Sequence, residues 1–225
     1  NDYLALARGK LFRPTLVLLA ARIGEGGHDR APTLGAVVEL VHLATLVHDD
    51  AVDHSVLRRG MPTVAALWNH QSAIIMGDYL YSRAVSELAD FGRTDMIQVL
   101  AGAANEMSVG EMRQLVSADA LGFTEDDYYR LIRAKTASLM SAACELGAMI
   151  GDEGHREPLT RFGHYIGMAF QIADDLLDYT ATEAATGKPT GHDLREHKMT
   201  LPLIAAMDAM DEGARGEVEQ FFADP

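Results

Sequence analysis

The sequence predicts an all-α fold in a single domain, and three observations carry that prediction. Apolar residues recur at helical spacing through most of the 225 residues, as on the buried faces of packed helices. Strand signals are scarce, with no convincing period-2 alternation and no Asn-Gly or Asp-Gly hairpin turn. The breaks between periodic segments contain glycine or proline, which punctuate helices.

In chain order, a first helix is expected over 11–23, closed by G24-E-G-G27. A second, over 34–56, is closed by the Arg-Gly-Met-Pro stretch at 59–62. Helices over 64–90 and 94–117 follow, then one over 125–150 ended by G151-D-E-G154. The next, over 157–180, runs out before G187-K-P-T-G191, and a last one is expected over 198–212. Several are apolar almost all round, which marks them as central helices of a large bundle. No shift of composition marks an inner boundary.

Bulk properties narrow the function classes. Hydrophobic residues make up 48% and charged residues 23%, as in ordinary globular proteins. The lone Cys144 cannot form an internal disulfide, so nothing asks for an oxidising compartment. No apolar run is expected to reach the ~18 residues that span a bilayer, and no signal-peptide pattern opens the chain. The expected location is the cytoplasm. A net charge of −14 argues against nucleic-acid binding. It also means that an anionic substrate must be held by local cations, so Lys10, Arg13, Arg58, Arg59, Lys135, Lys188, Arg195 and Lys198 gain weight.

The most informative feature is an internal echo. D49-D-A-V-D53 recurs as D174-D-L-L-D178, each at the end of an apolar helical run. Positions i, i+1 and i+4 lie near one face of a helix, so Asp49, Asp50 and Asp53 cluster, as do Asp174, Asp175 and Asp178. At a helix C-terminus each acid costs ~0.3–1 kcal/mol against the macrodipole. Both placements therefore call for cations. Carboxylates without His or Cys partners favour a hard metal such as Mg²⁺, which takes one or two carboxylates plus substrate phosphate oxygens. Either triplet alone could be a solvated acidic helix end; two copies on apolar helices weigh against that. His48-Asp49, with His28 or His42, could instead centre a His/Asp phosphohydrolase, which leaves the second cluster unexplained. His54 reads as a surface residue.

The basic residues add to this pattern. Lys10 and Arg13 are three apart in G9-K-L-F-R-P14, where a helix entry can aim both at one anion. Gly9-Lys10 is not a Walker lysine, because the G-x-x-x-x-G-K-[ST] pattern is absent. Arg58 and Arg59 follow the first acidic cluster as a phosphate clamp would. Lys135 stands beside Thr136 in an apolar helix, where an unpaired lysine is expensive.

With these motifs in order, the chain resembles the trans-isoprenyl diphosphate synthases, or polyprenyl synthetases. The resemblance runs over residues 9–205. It comprises G9-K-L-F-R-P14, D49-D-A-V-D53 with R58-R-G-M-P-T63, M76-G-D78, K135-T-A-S138, Q171-I-A-D-D-L-L-D178 and G187-K-P-T-G-H-D-L-R-E-H-K-M-T-L201. It implies mostly antiparallel helices around a deep central cavity, usually in a homodimer, and head-to-tail joining of an allylic diphosphate to isopentenyl diphosphate. It further implies that Asp49, Asp53 and Asp174 bind Mg²⁺, with Asp50, Asp175 and Asp178 beside them in the metal and catalytic centre, and Lys135 a catalytic cation there. Arg58, Lys135, Thr136, Gln171, Lys188 and Lys198 would hold the allylic diphosphate. Lys10, Arg13, His42 and Arg59 would hold that of isopentenyl diphosphate.

The growing chain is expected to run beside the helix of the first motif. Going back from Asp49, the lining candidates are Thr45 and Ala44, then Val41, then Val38. In the family a bulky aromatic at 44 or 45 stops growth early; small residues here imply a long-chain product, which would pass to a membrane.

Two departures stand out. Arg8 occupies a position where the family usually has glycine, and the family has a further helix before Lys10 and several after Pro225, so the domain is expected to be incomplete at both ends. Besides a catalytic prenyltransferase, the alternatives are a non-catalytic or regulatory subunit of a heteromeric synthase, the phosphohydrolase, and a terpene cyclase. The regulatory reading usually comes with damaged acidic motifs, and both are intact here. A cyclase has no need of the Lys10/Arg13 site.

Overall fold

A computed structural model describes residues 9–24, 28–58, 60–116, 121–181 and 191–223. They are almost entirely helical, as expected, and fall into two compact units. One comprises residues up to Ala104 with Leu139–Gly163; the other comprises Asn105–Ser138 with the residues from His164 onward.

In the first unit, α1 (Phe12–Ala21) is followed by a 3₁₀ turn (His28–Arg30) and the long α2 (Ala31–Val52). Pro32 stands in the first turn of α2, where its missing N–H has no helical partner to lose. A short ladder, β1 (Leu57–Arg58) with β2 (Met61–Pro62), leads into α3 (Val64–Leu67) and α4 (His70–Ala89). The expected helix over 64–90 is thus two, because Asn69 leaves the helix and caps α4, its side chain accepting from Ser72 N–H at 2.7 Å.

α2 packs against α1 and, more extensively, α4. It runs antiparallel to α4: Ala51 meets His70, His48 meets Ile74, and Pro32–Leu40 share a groove with Arg83 and Glu87. Leu34, Val37, Val38 and Val41 of α2 are completely buried, each such side chain worth ~1.5–3 kcal/mol of transfer free energy. By length and mean hydropathy (1.3), α2 could cross a membrane, which corrects the expectation that no run comes near that length. Its buried face, packed on two neighbouring helices, accounts for the same composition.

α5 (Thr94–Val116) begins in the first unit, and so does the part of α7 (Ser138–Ile150) from Leu139 on. Arg93 ties these elements together. It donates to Met149 O at 2.7 Å and to both oxygens of Asp95 (2.6 and 3.1 Å), and it pairs with Glu153 in a 3₁₀ turn, Glu153–His155. Arg93→Ala should lower stability by ~1–3 kcal/mol, read as a fall of several degrees in melting temperature. Arg93 also holds the Asp95 carboxyl below its usual value of 3.8. The stabilisation linked to Asp95 is therefore complete above that value and lost as pH falls below it, and the variant should show a weaker acid dependence, keeping the part that the Met96 N–H supplies.

In the second unit, α6 (Glu125–Ile132) starts at a capping box in which Thr124 and Asp127 satisfy each other's backbone N–H groups. It continues into a π-helical turn, Arg133–Ala137, before α7. α8 (Arg156–Thr180) lies in this unit from His164 on, followed by α9 (His192–Arg195), α10 (Leu201–Ala209) and α11 (Glu212–Ala223). Tyr128, Ile132, Met199, Leu203 and Ile204 form its core, covered by Met168, Ile172 and Phe222 among others. α11 lies beyond the last expected helix; mostly exposed and polar, it carries little apolar periodicity.

Candidate active site

Five polar side chains are buried among the described residues: Asp50, Thr63, Thr136, Ser138 and Asp175. All five fall inside the short motifs singled out in the sequence. Burial of a polar group costs free energy unless it is bonded, so each identifies a local construction.

The first construction is the end of α2. Asp49 is half-buried, Asp50 buried, and Asp53 exposed at the C-cap, its N–H donating to Asp49 O at 2.8 Å. The chain then folds back. Ser55 N–H donates to Asp50 O at 3.0 Å, Gly60 takes φ +77°, and Thr63 pins the loop by donating its hydroxyl to Ser55 O at 2.7 Å. This return brings Arg58 to Asp50, with Nε donating to Oδ1 at 2.7 Å. Burial pushes the Asp50 carboxyl above its usual value, with Asp53 adding repulsion, while Arg58 opposes both. A guanidinium has five N–H donors, so one bond to Asp50 leaves Arg58 able to take an anion as well. Arg59 lies outside the described residues.

The motif M76-G-D78 acquires a purpose here. His48, one residue before the acids, sets Nε2 3.1 Å from Ile74 O and 3.3 Å from Asp78 Oδ1. A Cβ on Gly77 would stand 2.2 Å from that nitrogen, so only glycine leaves room for the ring. His54 is exposed, as expected, and its Nδ1 lies 3.3 Å from Nε2 of His70.

Of the proposed lining residues, Val38 and Val41 are fully buried and Ala44 nearly so, packed with Val47, Val64, Ala73 and Leu80. Thr45 and His42 keep partial exposure on the stripe that leads to Asp49, the Thr45 hydroxyl donating to His42 O at 2.8 Å. Lys10 is exposed just before α1, and Arg13 is half-buried in its first turn.

The second construction belongs to the other unit. The π turn carries Lys135 and Thr136, the kind of local widening that recurs at functional sites. Lys135 Nζ lies 2.6 Å from Glu111 on α5 and 3.5 Å from Gln114 Oε1, which resolves how an apolar helix accommodates a lysine. The Thr136 hydroxyl donates to Gln171 Oε1 at 2.8 Å; Gln171 Nε2 donates to Asp175 Oδ1 at 2.7 Å; and Tyr128 donates to Asp175 Oδ2 at 2.6 Å. Burial raises the Asp175 carboxyl, with Asp174 and Asp178 adding to the rise, while Tyr128 and Gln171 counter it. Asp174 is exposed, and Asp178 is half-buried.

Asp178 accepts from Asp193 N–H at 3.0 Å, and its own carbonyl accepts from Gly191 N–H at 2.8 Å. Asp193 is pushed up to about 6, by burial first and then by Asp178 and Asp175. The backbone N–H of Lys198 donates to Asp193 O at 2.9 Å, while its ammonium meets Glu196. Lys188 lies outside the described residues. Sequence reasoning missed Tyr128, Asp193 and Glu111. For Tyr128 a signal existed, since a tyrosine in a helix with a buried face needs a partner for its hydroxyl.

The donor set is all-carboxylate, which suits a hard divalent cation. Among the described residues no three His, Cys, Asp or Glu side chains gather as a complete metal cage. The His48 ring is turned towards Ile74 and Asp78 of α4.

A family model for polyprenyl synthetase matches residues 1–224. An all-trans-nonaprenyl-diphosphate synthase (geranyl-diphosphate specific) of Rhodobacter capsulatus is 46% identical over 92% of this chain and 64% of its own length. Component 2 of a heptaprenyl diphosphate synthase from Geobacillus stearothermophilus is 43% identical over 91% of this chain and 65% of its own. A crystal structure of a polyprenyl synthase from Caulobacter crescentus, complexed with calcium and isoprenyl diphosphate, superposes with a TM-score of 0.85 at 34% identity, covering 99% of this chain and 74% of that one. The chain thus spans a little under two thirds of the length of these curated relatives. With an all-α fold and a family match along nearly its whole length, the chain belongs to the polyprenyl synthetase family.

Proposed function

We propose that the protein is a trans-prenyltransferase that condenses an allylic diphosphate with isopentenyl diphosphate to make a long all-trans polyprenyl diphosphate. The observation that carries this reading is that the five buried polar side chains among the described residues all fall within the two acidic motifs or the sequences paired with them. In each DDxxD the middle aspartate is buried against protein donors, Arg58 in one case and Tyr128 with Gln171 in the other. Asp53 and Asp174 are exposed and Asp49 and Asp178 half-exposed, so the outer acids face outward as ligands should.

Members of this family use divalent metal ions, and here we assign Mg²⁺ to Asp49, Asp53 and Asp174, with Asp50, Asp175 and Asp178 as the remaining carboxylates of the two motifs. When bound, the ion would neutralise charge developing on the departing diphosphate. Arg58, Lys135, Thr136, Gln171, Lys188 and Lys198 hold the allylic diphosphate. Lys10, Arg13, His42 and Arg59 hold the other substrate. As the allylic carbon–oxygen bond breaks, its electron pair goes to a diphosphate oxygen surrounded by these cations. The double bond of isopentenyl diphosphate attacks the allylic cation, and the released diphosphate takes the proton lost from the new chain. Apolar walls keep out water that would otherwise hydrolyse the cation. The two units are assigned to one polyprenyl synthetase domain, since a single family model runs through both. We place the protein in the cytoplasm as a homodimer.

A second reading has one specific support. A relative of 43% identity is named component 2 of its synthase, so this chain could act only with a different subunit. Incubation with Mg²⁺, isopentenyl diphosphate and farnesyl diphosphate, followed by sizing of the products, decides between the readings. Elongation supports the prenyltransferase working alone. No turnover unless a second subunit is added supports the heteromer; phosphate release alone or cyclic products would overturn both. Within this reading, Thr45→Phe should shorten the product without abolishing turnover, because Thr45 is the partly exposed residue one turn below Asp49. An unchanged product length would refute that floor.

A further inference from the structure

We propose that Tyr128 is a positioning residue for the allylic-diphosphate side of the site, acting through Asp175 to fix the amide of Gln171. The proposal rests on the assignment of Thr136 and Gln171 to that diphosphate.

The chain of bonds has a single consistent polarity. An ionised carboxylate only accepts, so Asp175 accepts the hydrogen bond of the Tyr128 hydroxyl on Oδ2 (2.6 Å) and must face the NH₂ end of Gln171 with Oδ1 (2.7 Å). That turns Gln171 Oε1 towards Thr136, whose hydroxyl donates to it at 2.8 Å. Flipping the amide would set Oε1 against a carboxylate oxygen and break the order at both ends. One N–H of Gln171 then remains uncommitted to the chain and can be offered to a diphosphate oxygen. Thr136, its single proton spent on Gln171, assists the anion through that amide.

Tyr128 closes the far end of this arrangement. It is 1% exposed in the core of the second unit, and Asp175 is 6% exposed, so neither hydrogen bond is readily replaced by water. With both carboxylate oxygens engaged by protein donors, Asp175 acts as the post on which Gln171 is set, whereas Asp174, exposed beside it, faces outward. The residues assigned to the isopentenyl diphosphate all belong to the other unit, whereas Tyr128, Asp175, Gln171 and Thr136 belong to this one.

The test is Tyr128→Phe, which removes one oxygen and keeps the ring. KM for farnesyl diphosphate should rise about tenfold, the size of one charge-assisted hydrogen bond, while KM for isopentenyl diphosphate stays the same. Affinity for inorganic diphosphate with Mg²⁺, measured by titration calorimetry, should fall about tenfold. In a Gln171→Ala background the effect of Tyr128→Phe should vanish. Equal changes in both KM values, no change in either, or a penalty that persists without Gln171 would overturn the proposal. Should Tyr128→Phe fail to fold, Asp175→Asn serves instead, since an amide cannot accept from both donors on two oxygens. The same selective rise in KM is expected, and an equal effect on both substrates again overturns the proposal. If the wild-type protein does not elongate, the prenyltransferase reading falls, while the calorimetric arm still decides whether Tyr128 positions Gln171.

Discussion

Asp49→Ala is expected to leave the fold standing while kcat for chain elongation falls by about a hundredfold or more. Asp49 is half-buried in the last turn of α2, and the acids around it face the negative end of the helix dipole. Removing a carboxylate there relieves ~0.3–1 kcal/mol of repulsion from the helix dipole, an amount that moves the melting temperature by no more than a few degrees. Its proposed work lies in the reaction, where a bound divalent ion would contribute several kcal/mol to stabilising the leaving diphosphate, and each ~1.4 kcal/mol lost is tenfold in rate. Asp50→Ala should behave differently. It removes the acceptor of Arg58 Nε at 2.7 Å inside a buried site, so it should cost ~1–3 kcal/mol of stability as well as activity. Steady-state kinetics at saturating Mg²⁺, with thermal melts of both variants, measure the contrast. A near-normal kcat for Asp49→Ala would refute the assigned role.

The contrast between Asp49 and Asp50 also marks how far the sequence could be read. The i, i+1, i+4 spacing is sufficient to cluster three acids on a helix end, and α2 and α8 end where that spacing requires, at Val52 and Thr180. Which acid becomes the buried anchor depends on partners elsewhere in the chain. Arg58, eight residues on, was visible as a neighbour of the motif; Tyr128, 47 residues from Asp175, was not. Helix periodicity placed α8 to within a residue because its apolar face is long and regular. It could not place the π turn at Arg133–Ala137, since a shift in backbone hydrogen bonding leaves side-chain spacing almost unchanged. Nor could it find β1 and β2, which at two residues each are too short to alternate. The break at Asn69 was legible in principle, as an Asn that caps the next helix, but the apolar residues on both sides masked it.

Gly167→Ala should be the most damaging single-methyl change in the second unit. On an exposed helix, Gly→Ala is worth ~1 kcal/mol in favour of the variant, because alanine loses less backbone entropy. At 167 that gain meets a wall. A Cβ there would lie 2.6 Å from Cα and 3.0 Å from Cβ of Ala137. The obstruction is backbone rather than the end of a flexible side chain, so α8 and the π turn must move apart. Overpacking of this kind costs ~1–3 kcal/mol, enough to reverse the propensity gain. The displacement is centred on the site: Thr136 precedes Ala137, and Gln171 lies one turn beyond Gly167. Their 2.8 Å hydrogen bond should open, raising KM for the allylic substrate along with the loss of stability. Gly102→Ala supplies the control, since Gly102 lies on exposed α5 with nothing within 4 Å of an added Cβ. That variant should be more stable than the parent by ~0.5–1 kcal/mol, with unchanged kinetics. Opposite shifts in melting temperature for the two variants are therefore expected; equal shifts would show that Gly167 is not held against Ala137 in the way its geometry requires.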